Sequence, residues 1–379
     1  MNFLIDQNLP AAKELFSEFG ALHFYEGREL PSELLAEAEI LLIRSVTKIT
    51  EEVLAKAPKL KFVGTATIGT DHMDLNALAA RNITFANAAG CNAVAVGEYV
   101  LSAALAVSLK HQFSWHGKRA LVIGAGNTGS EAGKRLAALG MQVAYIDPIK
   151  QEAGTDIEFS SWQQLAEFDL VTCHVPMQRT GPFTTWHLFN TERLNTLKPG
   201  ALLVNASRGA VVDNDALYQR LQRAKDIYVA LDVWEGEPKV MRELVPLVDI
   251  ATPHIAGHSI EGKIRGTYRL YLQLHELLNL PAPIIPERRV LPGFADGTIE
   301  ISRDYTEADI IRWVNNIYAI DQDDSNFRRD GLSATGFDKL RKEYALRREL
   351  WSQILVCAPE CSEKQQKQLE ALGFSVRAA

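Results

Sequence analysis

Cysteine is scarce in this 379-residue chain, with four residues at positions 91, 173, 357 and 361. So few exclude a disulfide-built scaffold of the kind that stabilises small secreted domains. Cys173 lies in an apolar strand pattern and reads as a buried thiol, while Cys357 and Cys361 stand together with no second pair. A zinc site needs further ligands at close spacing, and no His, Cys or acidic cluster supplies it, so no metal is expected. Positive charge is short too. A formal net charge of −7 offers no field for nucleic acid or an anionic membrane. The opening MNFLIDQNLP has neither a basic segment nor a long apolar run, so no signal peptide is expected. The most apolar later stretch, 93–109, contains Glu98 and is short for a membrane span. A serine-hydrolase nucleophile elbow is also missing. A reducing cytoplasm fits these absences best.

Among what is present, the stretch from Ala120 to Pro148 organises the rest. It reads as a strand, a glycine turn, a helix and a second strand ending on an acid. Gly124, Gly126 and Gly129 follow the buried strand in the G-x-G-x-x-G spacing that permits a tight turn, a close pyrophosphate and close helix–strand packing. The free N–H groups and dipole of the helix N-terminus favour an anion there. Asp147 ends the second strand where an acid meets the adenosine ribose hydroxyls. A carboxylate there repels a 2′-phosphate, so NAD is expected rather than NADP.

The first hundred residues alternate short apolar runs with helical patterns. Strands are expected at 2–5, 40–44, 62–66 and 83–86, and helices over 10–19 and 51–57. This alternation predicts a parallel α/β sheet whose ligands gather beyond the carboxyl ends of the strands. Arg44, Ser45 and Thr67 stand at such ends. A long helix capped by Asn92 leads to a first boundary near 110. Further strands at 170–173, 201–205, 228–232 and 250–252 each carry polar residues to the edge that bears the glycine loop. Pro281, Pro283 and Pro286 mark a linker. The tail beyond it reads as a small α+β domain, with helices over 306–318, 337–350 and 362–372 and a strand at 354–356. Composition leaves three roles open for it: joining subunits, binding an effector, or completing a partner's active site.

Arg208, Glu237 and His254 form a workable hydride-transfer set at that edge. An arginine fork clamps a carboxylate and polarises the adjacent oxygen, which lysine does not reproduce. A histidine takes the hydroxyl proton as hydride leaves the neighbouring carbon, and a carboxylate on its other nitrogen fixes the tautomer. Taken singly, each also has a plain reading as a surface ion pair, a loop carboxylate or a solvated histidine.

The runs NASRGAVVD at 205–213, LDVWEGEP at 231–238 and TPHIAG at 252–257 resemble the D-2-hydroxyacid dehydrogenases. The resemblance covers roughly the first 285 residues. It implies two Rossmann-like, doubly wound parallel-sheet domains hinged around a cleft, with Arg208, Glu237 and His254 as the catalytic triad. A narrower resemblance is to members acting on a phosphorylated 2-hydroxy acid and carrying an extra C-terminal segment for dimerisation. It rests on FLIDQNLP at 3–10, IRSVTKI at 43–49, FVGTATIGTDHMD at 62–74, AGCNAVAV at 89–96 and PHIAGHSIEGKIRGT at 253–267.

The implied division is a lid domain over 1–109 completed by 257–285, an NAD-binding domain over 110–256, and a homodimerisation domain over 286–379. Substrate contacts are implied for Ser45, Thr67 and His258. Cofactor contacts are implied for Asn127, Thr128, Asp147, Val175, Ala206, Ser207, Arg208, Asp232 and Gly257, with Val175 offering only backbone or packing. His258 stands where tyrosine is usual, and Ser207 where cysteine is common. Two rivals remain: a dehydrogenase of the same fold acting on another acid such as phosphoglycerate, and an NAD-sensing binding protein. A pure sensor has no need of all three triad residues.

Overall fold

The computed structural model describes residues 1–279, 283–302, 305–345 and 347–378, so Pro281 of the expected linker lies outside the described residues. The chain divides into two units, one of residues 1–92 with 259–293 and one of residues 93–258 with 294–379.

The first unit is built on five strands: β1 (Asn2–Asp6), β2 (Ala21–Tyr25), β3 (Ile40–Ile43), β4 (Phe62–Thr65) and β5 (Thr84–Asn87). They run parallel in the order β2-β1-β3-β4-β5. Apolar runs such as ILLI suit a strand covered on both faces. One face buries Phe3, Ile5, Leu42 and Phe62 with Tyr271 and Leu274, and the other buries Leu4, Leu41, Ile43 and Val63 with Leu54 and Leu78. The connection reverses between β1 and β3, the kind of switch point outside which ligands bind in such sheets. Asp6, ending β1, and Arg44, just beyond β3, meet there with Nε 2.8 Å from Oδ2.

The helix Ile260–Leu277 joins this unit, starting at Ser259, whose hydroxyl accepts the Gly262 N–H. A Cβ on Gly266 would lie 2.7 Å from the Ala66 carbonyl oxygen, so the helix backbone lies directly against the turn after β4.

The second unit holds β6 (Arg119–Ile123), β7 (Gln142–Ile146), β8 (Leu170–Cys173), β9 (Leu202–Asn205), β10 (Tyr228–Leu231) and β11 (Ile250–Ala251). All are parallel, in the order β11-β10-β9-β8-β6-β7, which puts a second switch point at β6 and its glycine loop. The helix Ala93–His111 is long and apolar enough to cross a membrane, but 78% of its most apolar stretch is buried inside the protein. Its Val100, Ala103, Ala104 and Val107 pack with Ala132 and Leu136 of the helix Asn127–Ala138. This explains why the division falls before residue 93 and not near 110.

The tail carries a parallel sheet β12 (Thr298–Ile301), β13 (Ile354–Cys357) and β14 (Ser375–Ala378), with β13 in the middle. Capping boxes start its helices Glu307–Ile317 at Thr306 and Glu363–Leu372 at Ser362. The helix expected over 337–350 is instead Ala334–Lys342, followed by irregular chain. Beyond it, Tyr344 donates to Asp323 and Arg347 to Glu98, contacts that fix this irregular course. The apolar spacing through Phe337, Leu340 and Tyr344 therefore overshoots the helix. The helix Ile320–Asp330 is too polar to register as a pattern, since only Ile320 and Phe327 are buried.

Candidate active site

The glycine loop has the geometry that a dinucleotide needs. Gly124 has φ +93°, and a Cβ there would stand 2.6 Å from the His174 carbonyl oxygen. A Cβ on Gly129 would stand 1.8 Å from the Gly124 carbonyl oxygen, so only glycine lets this helix start so close to the strand. Gly126, by contrast, faces open space and caps the helix without any side-chain acceptor. The first N–H groups, at Asn127 and Thr128, therefore remain for an anion. Asp147 accepts from Ala125 N at 2.8 Å and Lys150 N at 3.0 Å, which ties the end of β7 to the loop. These residues fit NAD: a pyrophosphate cradle with an acid at the neighbouring strand end. Val175 borders the loop, its Cγ1 3.0 Å from the position of a Gly124 Cβ. Ser207 is buried with its N–H and hydroxyl on Asn205 Oδ1, which fixes the turn carrying Ala206 and Arg208.

Three adjacent strands deliver the expected triad: Arg208 follows β9, Glu237 follows β10 and His254 follows β11. His254 Nδ1 lies 2.6 Å from Glu237 Oε1. The other carboxylate oxygen accepts Trp234 N at 3.2 Å, so the acid is aimed at the ring by its own turn. Burial pushes the Glu237 pKa up, but the bond to His254 and its charge outweigh this and hold it below the ordinary 4.5. Nε2 of His254 has no hydrogen-bond partner among the described residues. His254 itself has φ +58°, a left-handed conformation uncommon outside glycine and found at functional sites.

A carboxyl with a lowered folded pKa contributes stability that is complete above its unfolded value and is lost as pH falls through the folded value. Glu237→Gln is therefore expected to lower unfolding stability at pH 7 and to flatten its acid dependence below about pH 4.5. Urea titrations from pH 7 to pH 3 check this, and parallel curves for parent and variant would contradict it.

Asp232 supplies the other support. Its carboxylate is 1% exposed and is engaged by the chain's own loop. Oδ1 accepts Thr252 Oγ1 and Ile255 N, each at 2.7 Å, and Oδ2 accepts Ala256 N at 2.9 Å. Its backbone carbonyl accepts His254 N at 2.6 Å. The Thr252 proton is committed to Asp232, so the Tyr99 hydroxyl, 2.8 Å away, donates to Thr252. No periodicity in the sequence signals this network, because its members lie up to 153 positions apart.

Arg208 bonds the Ser207 carbonyl through Nη1 at 2.8 Å, which anchors one side of the guanidinium and leaves the rest of its fork for a carboxylate.

In the first unit, Ser45 is exposed beyond β3 and Thr67 is half-buried beyond β4. Thr67 Oγ1 is 2.9 Å from Thr65 Oγ1, which is 3.0 Å from His72 Nε2. Burial pushes the His72 pKa down, against the pull of Asp71. Arg44 uses Nε on the fully buried Asp6, and its terminal nitrogens have no hydrogen-bond partner among the described residues. Lys263, one turn into the helix Ile260–Leu277, pairs with no carboxylate among the described residues. Although it is exposed overall, partial burial and then the charge of Arg44 hold its ammonium below the ordinary 10.5. Lys263 has no motif to announce it. Only the fold brings it near Arg44. His258, in the second unit, meets the Tyr344 ring edge-on at 5.8 Å.

His187 is half-buried, with Nδ1 3.3 Å from Asp213 and Nε2 2.8 Å from Glu235. The two carboxylates engage opposite sides of the ring, so this cluster reads as a polar strap between the three residues. His174 is buried, with Nε2 2.9 Å from Thr172, and burial pushes its pKa down to about 3. It is a neutral ring at neutral pH. All four cysteines are buried free thiols.

Comparison with known proteins gives the family and the fold. Residues 93–256 match the family described as D-isomer specific 2-hydroxyacid dehydrogenase, NAD binding domain. Residues 290–373 match a family described only as a domain of unknown function. The chain is 43% identical over 376 residues to the erythronate-4-phosphate dehydrogenase of Tolumonas auensis, covering 99% of both chains. It is 44% identical over 381 residues to the enzyme of that name from Idiomarina loihiensis, covering 100% of this chain and 99% of that one. A solved NAD+-bound 3-phosphoglycerate dehydrogenase of Entamoeba histolytica has the same fold, with TM-score 0.63 and 20% identity over 74% of this chain and 96% of that one.

Proposed function

The chain belongs to the erythronate-4-phosphate dehydrogenases, NAD-dependent oxidoreductases of the D-2-hydroxyacid dehydrogenase type, and from that premise we propose how its own residues carry out the reaction. The substrate is 4-phospho-D-erythronate and the product 2-oxo-3-hydroxy-4-phosphobutanoate, a step toward pyridoxal phosphate. The observation that carries the reading is the 2.6 Å bond between His254 and Glu237, on the strand end next to that of Arg208. Arg208 clamps the C1 carboxylate and orients C2. His254 Nε2 takes the proton of the C2 hydroxyl, and Glu237 stabilises the imidazolium so formed. Bound NAD supplies the acceptor for the hydride that leaves C2. Gly124, Gly126, Asn127, Thr128, Gly129 and Asp147 would hold that cofactor, together with Val175, Ala206, Ser207, Arg208, Asp232 and Gly257.

Ser45, Thr67 and His258 are read as substrate contacts. The phosphate end calls for cationic donors, and two stand at the first unit's switch point: Lys263, and Arg44, whose Nε pairs with Asp6 while its terminal nitrogens have no hydrogen-bond partner among the described residues. Lys263→Met is expected to raise KM for the phosphorylated acid by roughly 10- to 100-fold, the worth of one hydrogen bond to a charged group, with little change in kcat. Steady-state kinetics check it, and an unchanged KM would remove Lys263 from the phosphate site.

We also read the protein as a cytoplasmic homodimer joined through its tail. Four free thiols suit a reducing compartment, and the exposed Phe294 beside the small sheet suits a subunit contact. Sedimentation of Phe294→Ser against the parent tests that contact.

The substrate is tested by following bound NADH fluorescence in a single turnover with 4-phosphoerythronate, 3-phosphoglycerate, D-glycerate and D-lactate. A signal confined to the first is expected. An equal signal from an unphosphorylated acid would overturn the substrate assignment.

A further inference from the structure

The tail, matched only to a domain of unknown function, makes buried polar contacts beside the loop that bears His254. Arg347 is buried, and its guanidinium makes three bonds: Nη1 to Glu98 Oε2 at 3.1 Å, and Nη2 to the carbonyls of Ala95 at 2.7 Å and Ala256 at 3.1 Å. It also lies 4.0 Å over the Tyr318 ring. Ala256 is thus gripped twice, its N–H by Asp232 and its carbonyl by Arg347. The grip does not drift, because Glu98 is buried in the helix Ala93–His111 and its Oε1 accepts Leu350 N at 2.9 Å. A carboxylate in the most apolar helix of the chain is expensive unless paired and bonded; Arg135 of the helix Asn127–Ala138 stands 3.7 Å from its Oε1, and the tail adds Arg347 and the Leu350 N–H.

Two more contacts converge on the same loop. The helix Ile320–Asp330 covers the edge strand β11, where Asp324 accepts Ala251 N at 2.7 Å and Arg328 donates to the carbonyls of Val245 and Val248 at 2.6 and 3.0 Å. From that helix, the Phe327 ring lies 5.4 Å from that of Trp234 at a tilt of 32°, and the Trp234 ring N–H holds the Thr252 carbonyl at 2.9 Å while its backbone N–H holds Glu237. Both members of the acid–base pair are therefore seated on groups that the tail fixes.

We propose that the tail frames the acid–base loop within its own chain, with Arg347 as a positioning residue for His254. It does so by fixing the Ala256 carbonyl, while Asp324 and Phe327 hold the strand and tryptophan on which the loop is seated. The inference rests on His254 being the acid–base group. It gives residues 294–378 a part in catalysis separate from subunit contact.

The test uses the full-length protein with two variants, Arg347→Lys and the double change Glu98→Gln with Arg347→Met. The double change removes the loop contact together with the buried carboxylate that Arg347 pairs with, and Arg135 keeps Glu131 as a partner, so it is the one expected to keep the fold. Small displacements of a catalytic group lower turnover by about 100-fold, and that fall in kcat is expected, with KM and NAD affinity within about 3-fold of the parent. Hydrogen exchange of the NAD-free protein should show the amides of His254, Ile255 and Ala256 exchanging at least about 10-fold faster, with β6 to β9 unchanged. Arg347→Lys keeps the charge beside Glu98 but not the three-way fork, and should retain more activity than the double variant. A folded double variant whose loop stays as protected as the parent's overturns the frame, whatever its activity. A loosened loop with parental kcat overturns it too. The exchange result needs no turnover, so failure of the His254 assignment is seen separately, as activity that survives His254→Ala.

Discussion

His254→Ala is expected to lower kcat by about 10²- to 10⁴-fold, the usual worth of a positioned general base, and to leave NAD affinity within a few-fold of the parent. The two effects separate because the cofactor loop and the histidine sit on different strands. The loop at Gly124–Gly129 follows β6, and His254 follows β11 at the far side of the sheet order. Nothing in the glycine loop depends on the imidazole. The backbone at 254 is held by the Asp232 carbonyl, and its neighbours by the Asp232 carboxylate, so alanine leaves those bonds in place. Alanine also tolerates the φ of +58° less well than histidine, so a modest loss of stability accompanies the loss of turnover. Isothermal titration with NAD beside stopped-flow turnover checks both halves. Turnover near the parent's would remove His254 from the mechanism.

Arg208→Lys is the second large effect. Arg208 already uses Nη1 on the Ser207 carbonyl at 2.8 Å, so the guanidinium is oriented before any substrate arrives. Lysine keeps the charge but offers a single ammonium, which cannot hold that carbonyl and clamp a carboxylate bidentately. Losing one or two charge-assisted bonds at about 1.5–3 kcal/mol each predicts a fall in kcat/KM of roughly 10- to 1000-fold or more. The fall should include kcat, because the clamp also orients C2 for hydride loss. Kinetics matching the parent's would remove Arg208 from the carboxylate clamp.

Parts of this architecture are legible in the sequence for identifiable reasons. The β6–helix–β7 unit has steric demands that only glycine meets, at Gly124 and Gly129, and it leaves a spacing that can be read directly. Parallel strands bury both faces, so runs such as ILLI and ALLVN stand out, and within each sheet the carboxyl ends of the strands fall at one edge. β2, ALHFY, does not stand out because it is an edge strand with exposed residues along it. The helix Ile320–Asp330 is hidden by its charges, although those charges bind the edge of the sheet through Asp324 and Arg328. The networks around Asp232 and Arg347 are out of reach for another reason. They join residues as far as 252 positions apart, and a hydrogen bond across that distance leaves no period, spacing or composition to detect.

The most direct test of hydride transfer from C2 with His254 taking the hydroxyl proton is the fate of the C2 hydrogen. The enzyme is turned over with [2-²H]-4-phosphoerythronate and NAD in ordinary water, and the NADH is analysed by mass spectrometry. One deuterium retained in each NADH is the predicted result, since the hydrogen passes directly between the two carbons and only the hydroxyl proton reaches His254. Unlabelled NADH with deuterium lost to solvent would contradict it.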